Sequence, residues 1–152
     1  MSVPGVSITI DCHDPRRLVP FWCAALNYMP EPPPGGHTSW LGYWRSIGIQ
    51  DSDLAGVDPS TCDSIVDPEG RRPRIWFQVV PERKAAKNRV HLDLDVTRGR
   101  QGTLAERRRV VEVEVARLIS LGAERVRSLE PSGADYFAVT MVDPEGNEFC
   151  VS

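Results

Sequence analysis

Lysine is nearly absent: Lys84 and Lys87 are the only two, and arginine supplies the other basic residues. No basic stripe runs along the chain, and the formal net charge is −3. That removes the electrostatic footprint a nucleic-acid-binding surface needs, so no nucleic-acid partner is expected. The densest basic run, "ERRR" at 106–109, reads as the solvated face of a helix. The arginine bias suits a GC-rich bacterial gene and carries no functional information. Long apolar runs are also missing. Nothing approaches the roughly 18–20 apolar residues of a membrane span, so no membrane partner is expected. The first eight residues, "MSVPGVSI", have neither a charged leader region nor an apolar one. Four cysteines (Cys12, Cys23, Cys62, Cys150) show no CxxC spacing and read as reduced, buried small hydrophobes in a cytoplasmic protein. Histidine is scarce as well: His13, His37 and His91 are the whole supply.

What is present is a repeat. "VDPEG" stands at 66–70 and again at 142–146, 76 positions apart. Asp-Pro opens turns and Gly closes them, so two unrelated hairpins would explain the pair alone. A second repeat argues otherwise. "GVSITIDCHD" and "RVHLDLDV" align when Ser7 is set on His91, which matches Ile8 with Leu92, Ile10 with Leu94 and Asp11 with Asp95. That offset is 84, so the first copy is eight residues longer (84 − 76) between these landmarks. "PEPPPGG" at 30–36 is able to absorb an insertion as loop.

At 152 residues the chain suits one compact domain or two small similar halves. Period-two alternation predicts strands at 6–11 and 90–96. Asp14-Pro15 is an N-cap followed by proline at the first helical position, and predicts a helix over 15–27, with Pro20 liable to kink it. Residues 38–50, with Trp40, Tyr43, Trp44, Ile47 and Ile49, read as one or two strands. Strands at 62–66 and 74–80 flank the first VDPEG. Residues 80–89 read as a polar connector. Thr103 with Glu106 forms a capping-box pattern for a helix that reaches Leu121 and stops at Gly122. Strands at 123–127, 136–142 and 147–151 complete the second half. Each half therefore reads β, α, β, β, β, an α+β pattern with module one over about 5–80 and module two over about 90–152.

Strand parity places Ser7, Thr9 and Asp11 on one face, His91, Asp93 and Asp95 on another, and Glu148, Cys150 and Ser152 on a third. These polar faces are expected to line a cavity. His91 with Glu148 is a legitimate imidazole–carboxylate pair for a divalent metal. His91 with Asp93 or Glu148 also suits metal-free acid–base work, and His91 reads equally as a buried, hydrogen-bonded remnant. Trp22 falls on the apolar face of the first helix and reads as core. Trp40, Trp44 and Trp76 read as strand residues of module one, either core or the wall of an aromatic-accepting cavity.

"DCHDPRRLVPFWCAAL", "WFQVVPERKAAKNRVHLDLDV" and "MVDPEGNEFCV", in that order, resemble landmarks of the vicinal oxygen chelate superfamily, the group of glyoxalase, bleomycin-resistance and extradiol-dioxygenase proteins. The likeness is to its small actinobacterial glyoxalase-like domains. It implies two βαβββ modules forming an eight-stranded, incompletely closed barrel around a central cavity, and frequent homodimers. It also implies metal-ligand positions on first and last strands, which here carry Ser7, His91, Glu148 and, in module one's last strand, Gln78 or Trp76. Ser7 departs from the pattern, because a neutral hydroxyl is a poor ligand where a second imidazole is needed.

Two functions from different classes follow. One is a binder of a small organic molecule, with no cofactor expected. The other is a metal-dependent lyase, isomerase or dioxygenase using His91 and Glu148. Ser7 favours the first, while His91 and Glu148 keep a divalent metal and the second reading open.

Overall fold

The computed structural model describes residues 5–54, 58 and 62–152. It divides into two compact units, Met1–Val80 and Pro81–Ser152. Unit one contains strand β1 (Ser7–Cys12), helix α1 (Pro15–Leu26), strand β2 (Met29–Pro30), helix α2 (Trp40–Ser46), and strands β3 (Ser64–Val66) and β4 (Arg74–Val79). Unit two contains β5 (Leu92–Leu94), α3 (Leu104–Ser120), β6 (Glu124–Leu129), β7 (Ala138–Val142) and β8 (Glu148–Val151).

The two units share one sheet topology, and unit one carries an additional helix, α2, between its second and third strands. Each sheet has four strands, in the order β1-β4-β3-β2 and β5-β8-β7-β6. In each, the first strand pairs parallel with the last, and the remaining pairs are antiparallel. Neither sheet closes on itself. The strands 6–11 and 90–96 expected from sequence thus hold equivalent places, although β5 is only three residues long.

Local signals account for both long helices. Asp14 Oδ1 accepts from the Arg16 amide, and Asn27 ends α1 in the left-handed region at φ 55°. The helix runs through Pro20, whose ring sits on the exposed side. α3 opens with the full capping box between Thr103 and Glu106. Each helix then buries one stripe. Leu18, Val19, Phe21 and Trp22 of α1 pack with Ile65 of β3 and with Ile75 and Phe77 of β4. Val111, Val115 and Leu118 of α3 pack on β6, β7 and β8, where Val139, Met141, Phe149 and Val151 are buried.

The repeated pentapeptide makes the same device twice. Asp67 accepts from the amides of Glu69, Arg71 and Arg72, and Asp143 accepts from those of Glu145 and Asn147. Gly70 and Gly146 close the turns at φ 65° and 86°, donating to the carbonyls of Asp67 and Asp143. Only glycine takes that conformation without steric cost.

One stretch departs from the sequence reading. Residues 38–50 contain no strand; they form α2, capped by the Ser39 hydroxyl. Trp40, Tyr43, Trp44 and Ile47 are spaced i, i+3, i+4, i+7, the period of a helix face. Their aromatic and β-branched composition pointed to strand, and the spacing prevailed. Trp40 and Trp44 are therefore helix residues. Module one's second strand lies instead at Met29–Pro30, outside the 38–50 stretch expected to hold it, and has two residues against six for β6.

Candidate functional site

The parallel β5–β8 pair sets the most chemically loaded face of unit two. Leu92, Leu94, Phe149 and Val151 fall on the apolar side of the alternation, leaving Asp93 and Cys150 to share the other. The register sets Asp93 beside Cys150. His91, two residues before Asp93, has the same parity. Its Nδ1 lies 2.9 Å from Asp93 Oδ1. One donor atom each from His91, Asp93 and Cys150 lie within 4.8 Å of one another. The His91 side chain is 37% exposed, so it is an accessible group and not a buried remnant. Cys150 is half-buried, with Thr140 Oγ1 3.7 Å from its sulfur. Burial pushes its thiol pKa up, the Thr140 contact opposes that, and the Asp93 charge adds to the rise.

Glu148 stands differently. Its Oε2 accepts from Lys87 Nζ at 3.0 Å and from the Asn88 amide at 2.9 Å. The Lys87 hydrogen bond, then the Asn88 amide, hold its carboxyl below the usual glutamate range. The partners of Glu148 are thus the connector residues. The hydrogen-bond partner of His91 is Asp93. Asp95 serves the backbone, accepting from the amides of Thr97 and Gly99.

In unit one, register sets Ser7 beside Arg74, Thr9 beside Trp76 and Asp11 beside Gln78. The Ser7 hydroxyl donates to the Arg74 carbonyl at 3.4 Å. Arg74 is tied to Glu31 and to the Ser64 hydroxyl. A neutral hydroxyl that donates to a backbone carbonyl is a poor start for cation binding. The indole N–H of Trp76 donates to Asp63 at 2.9 Å, and that of Trp40 to the Glu31 carbonyl at 3.1 Å. Both polar handles are satisfied within the protein, so these rings offer a ligand only apolar surface. Trp40 packs edge-on to Tyr43 and lies 5.9 Å from Trp44, with His37 edge-on to Tyr43, making an aromatic cluster in unit one.

Parity puts Cys150 on the polar face with Glu148, but the sequence pairs His91 with Glu148 and names Cys150 no ligand; its place beside Asp93 comes from the register of the parallel pair.

Acid sensitivity is expected from the first turn. Asp67 is buried against Arg72, whose side-chain hydrogen bond holds the carboxyl below its ordinary 3.8, with burial opposing. A depressed native pKa stabilises the fold above the unfolded value and loses that contribution as pH falls through the native one. The melting temperature should therefore fall as pH drops below about 4. Asp67→Asn should melt lower at neutral pH and show a shallower acid limb in calorimetry. Parallel limbs would mean that this carboxylate does not carry the effect.

Residues 7–152 match the model of the family described as "Glyoxalase-like domain". No curated protein matches the chain by sequence. Among solved structures, a glyoxalase/bleomycin resistance protein/dioxygenase family enzyme from Burkholderia phytofirmans PsJN is similar, with 15% identity over 95% of this chain and 94% of that one, at TM-score 0.56. The fosfomycin resistance protein FosX from Mesorhizobium loti is 10% identical over 99% of this chain and 92% of its own, at TM-score 0.51. A mutant FosX from Listeria monocytogenes, complexed with Mn(II) and 1S,2S-dihydroxypropylphosphonic acid, is 12% identical over 99% and 90%, at TM-score 0.55. At these identities the structural likenesses speak to the fold alone. No helix among the described residues is long and apolar enough to cross a membrane. With the family model matched from Ser7 to the last residue, and one strand order in the sheets of both units, the chain belongs to the glyoxalase-like domain family.

Proposed function

We propose that this protein binds a small organic molecule bearing adjacent oxygen functions, through the polar face of the β5–β8 pair, as a cytoplasmic homodimer. One observation carries the reading: an accessible imidazole, a carboxylate and a thiol converge on a face opposite the buried Phe149 and Val151. Such a group can donate and accept hydrogen bonds to a hydroxyl or an acid oxygen at fixed spacing.

A second reading, a metal-dependent lyase, isomerase or dioxygenase using His91 and Glu148, has the Mn(II) complex of the Listeria relative behind it. Against it stand the neutral Ser7 and the engagement of Glu148 with Lys87. In either reading His91 is the residue to remove. The test is thermal shift with a dihydroxyalkyl phosphonate, an α-hydroxy acid and a catechol, each without added metal. A ligand at about 100 times its Kd should stabilise by about 2.7 kcal/mol, and His91→Ala should abolish the shift. No shift with any of the three, or an undiminished shift in His91→Ala, counts against the proposal.

A further inference from the structure

We infer that His91, Asp93 and Cys150 together form a site for a thiolate-preferring divalent cation of the zinc or cobalt type. The site lies one strand repeat along from the Glu148 position that the superfamily resemblance would use. It shares a face with the small-molecule reading but needs no organic ligand to be tested.

The backbone supplies the first part of the argument. Parallel pairing sets Asp93 against Cys150, so two of the three donors are placed by the sheet and not by loop geometry. His91 is already in contact with Asp93 at 2.9 Å. Ligands about 2.0–2.3 Å from a tetrahedral metal lie roughly 3.3–3.8 Å apart. The present separations, all within 4.8 Å, close to that by side-chain rotation. The side chains of His91 and Asp93 are 37% and 64% exposed, which leaves them room to rotate once their mutual contact opens onto the cation. Cys150, the half-buried member, stays fixed by the ladder.

Donor chemistry supplies the second part. Imidazole, carboxylate and thiolate are three protein ligands with a fourth position left for solvent or a ligand oxygen, the composition of an open zinc-type site. A thiolate selects zinc or cobalt over manganese or magnesium, which prefer all-oxygen sets. On binding, the Cys150 S–H bond breaks, the sulfur electron pair goes to the cation, and the proton leaves to solvent. Glu148 is held elsewhere by Lys87 and Asn88.

The experiment is cobalt(II) chloride titration of the whole, tag-free protein, read by absorption and calorimetry. Wild type should take up one equivalent, with a thiolate-to-cobalt charge-transfer band in the near ultraviolet and tetrahedral d–d bands in the visible. Cys150→Ser should lose the charge-transfer band. Asp93→Asn, a change on an exposed side chain that leaves the fold alone, should weaken binding at least about tenfold. Glu148→Gln should leave band and affinity unchanged. Wild type that binds no cobalt, or binds without the band, overturns the site. So does loss of binding in Glu148→Gln with retention in Cys150→Ser, which would put the cation at the superfamily's own position.

Discussion

Trp22→Ala should cost about 3–5 kcal/mol, a large share of the roughly 5–15 kcal/mol that holds a domain of this kind folded. Trp22 is 1% exposed and lies edge-on to Phe21, with ring centroids 5.2 Å apart. It anchors α1 against β3 and β4, and among the described residues no other helix of unit one buries a residue. Deleting the indole forfeits its transfer energy and leaves a cavity that close-packed neighbours cannot fill. Urea unfolding should show a midpoint shift of that size. A loss under about 1 kcal/mol would mean that α1 does not seal the sheet as described.

Asp143→Ala should be the next most damaging change, at about 2–4 kcal/mol. Asp143 is 2% exposed, and its Oδ1 accepts from the amides of Glu145 and Asn147 while the Asn147 side chain donates to both oxygens. Alanine strands those donors in the turn that feeds β8, the strand carrying Glu148 and Cys150. Asp143→Asn keeps one acceptor and should lose less. Equal destabilisation of the two variants would show that packing of the side chain, not its oxygens, holds the turn.

These two residues illustrate what the sequence makes legible. The VDPEG turns, the Asp14 and Thr103 caps and the helix stripes are local signals, and each sits where its pattern puts it. α2 was misread because Trp40, Tyr43 and Trp44 carry strand-like composition on helix-like spacing. Among the site residues, parity alone groups His91 with Asp93 and Glu148 with Cys150. Which members of the two groups meet depends on the register of a parallel pair 57 positions apart (150 − 93), fixed by the long crossover through α3, β6 and β7. The capture of Glu148 by Lys87 and Asn88 depends on the course of the connector. Neither leaves a local trace.

The central claim is that function resides on the β5–β8 polar face of unit two. Two-dimensional amide NMR of the 15N-labelled protein, titrated with whichever of the three oxygen-bearing compounds gives a thermal shift, tests it most directly. Shifts concentrated at residues 91–95 and 148–152, with the largest near His91, Asp93 and Cys150, are the expected result. Shifts confined to the aromatic cluster of His37, Trp40, Tyr43 and Trp44, with that face silent, would contradict it.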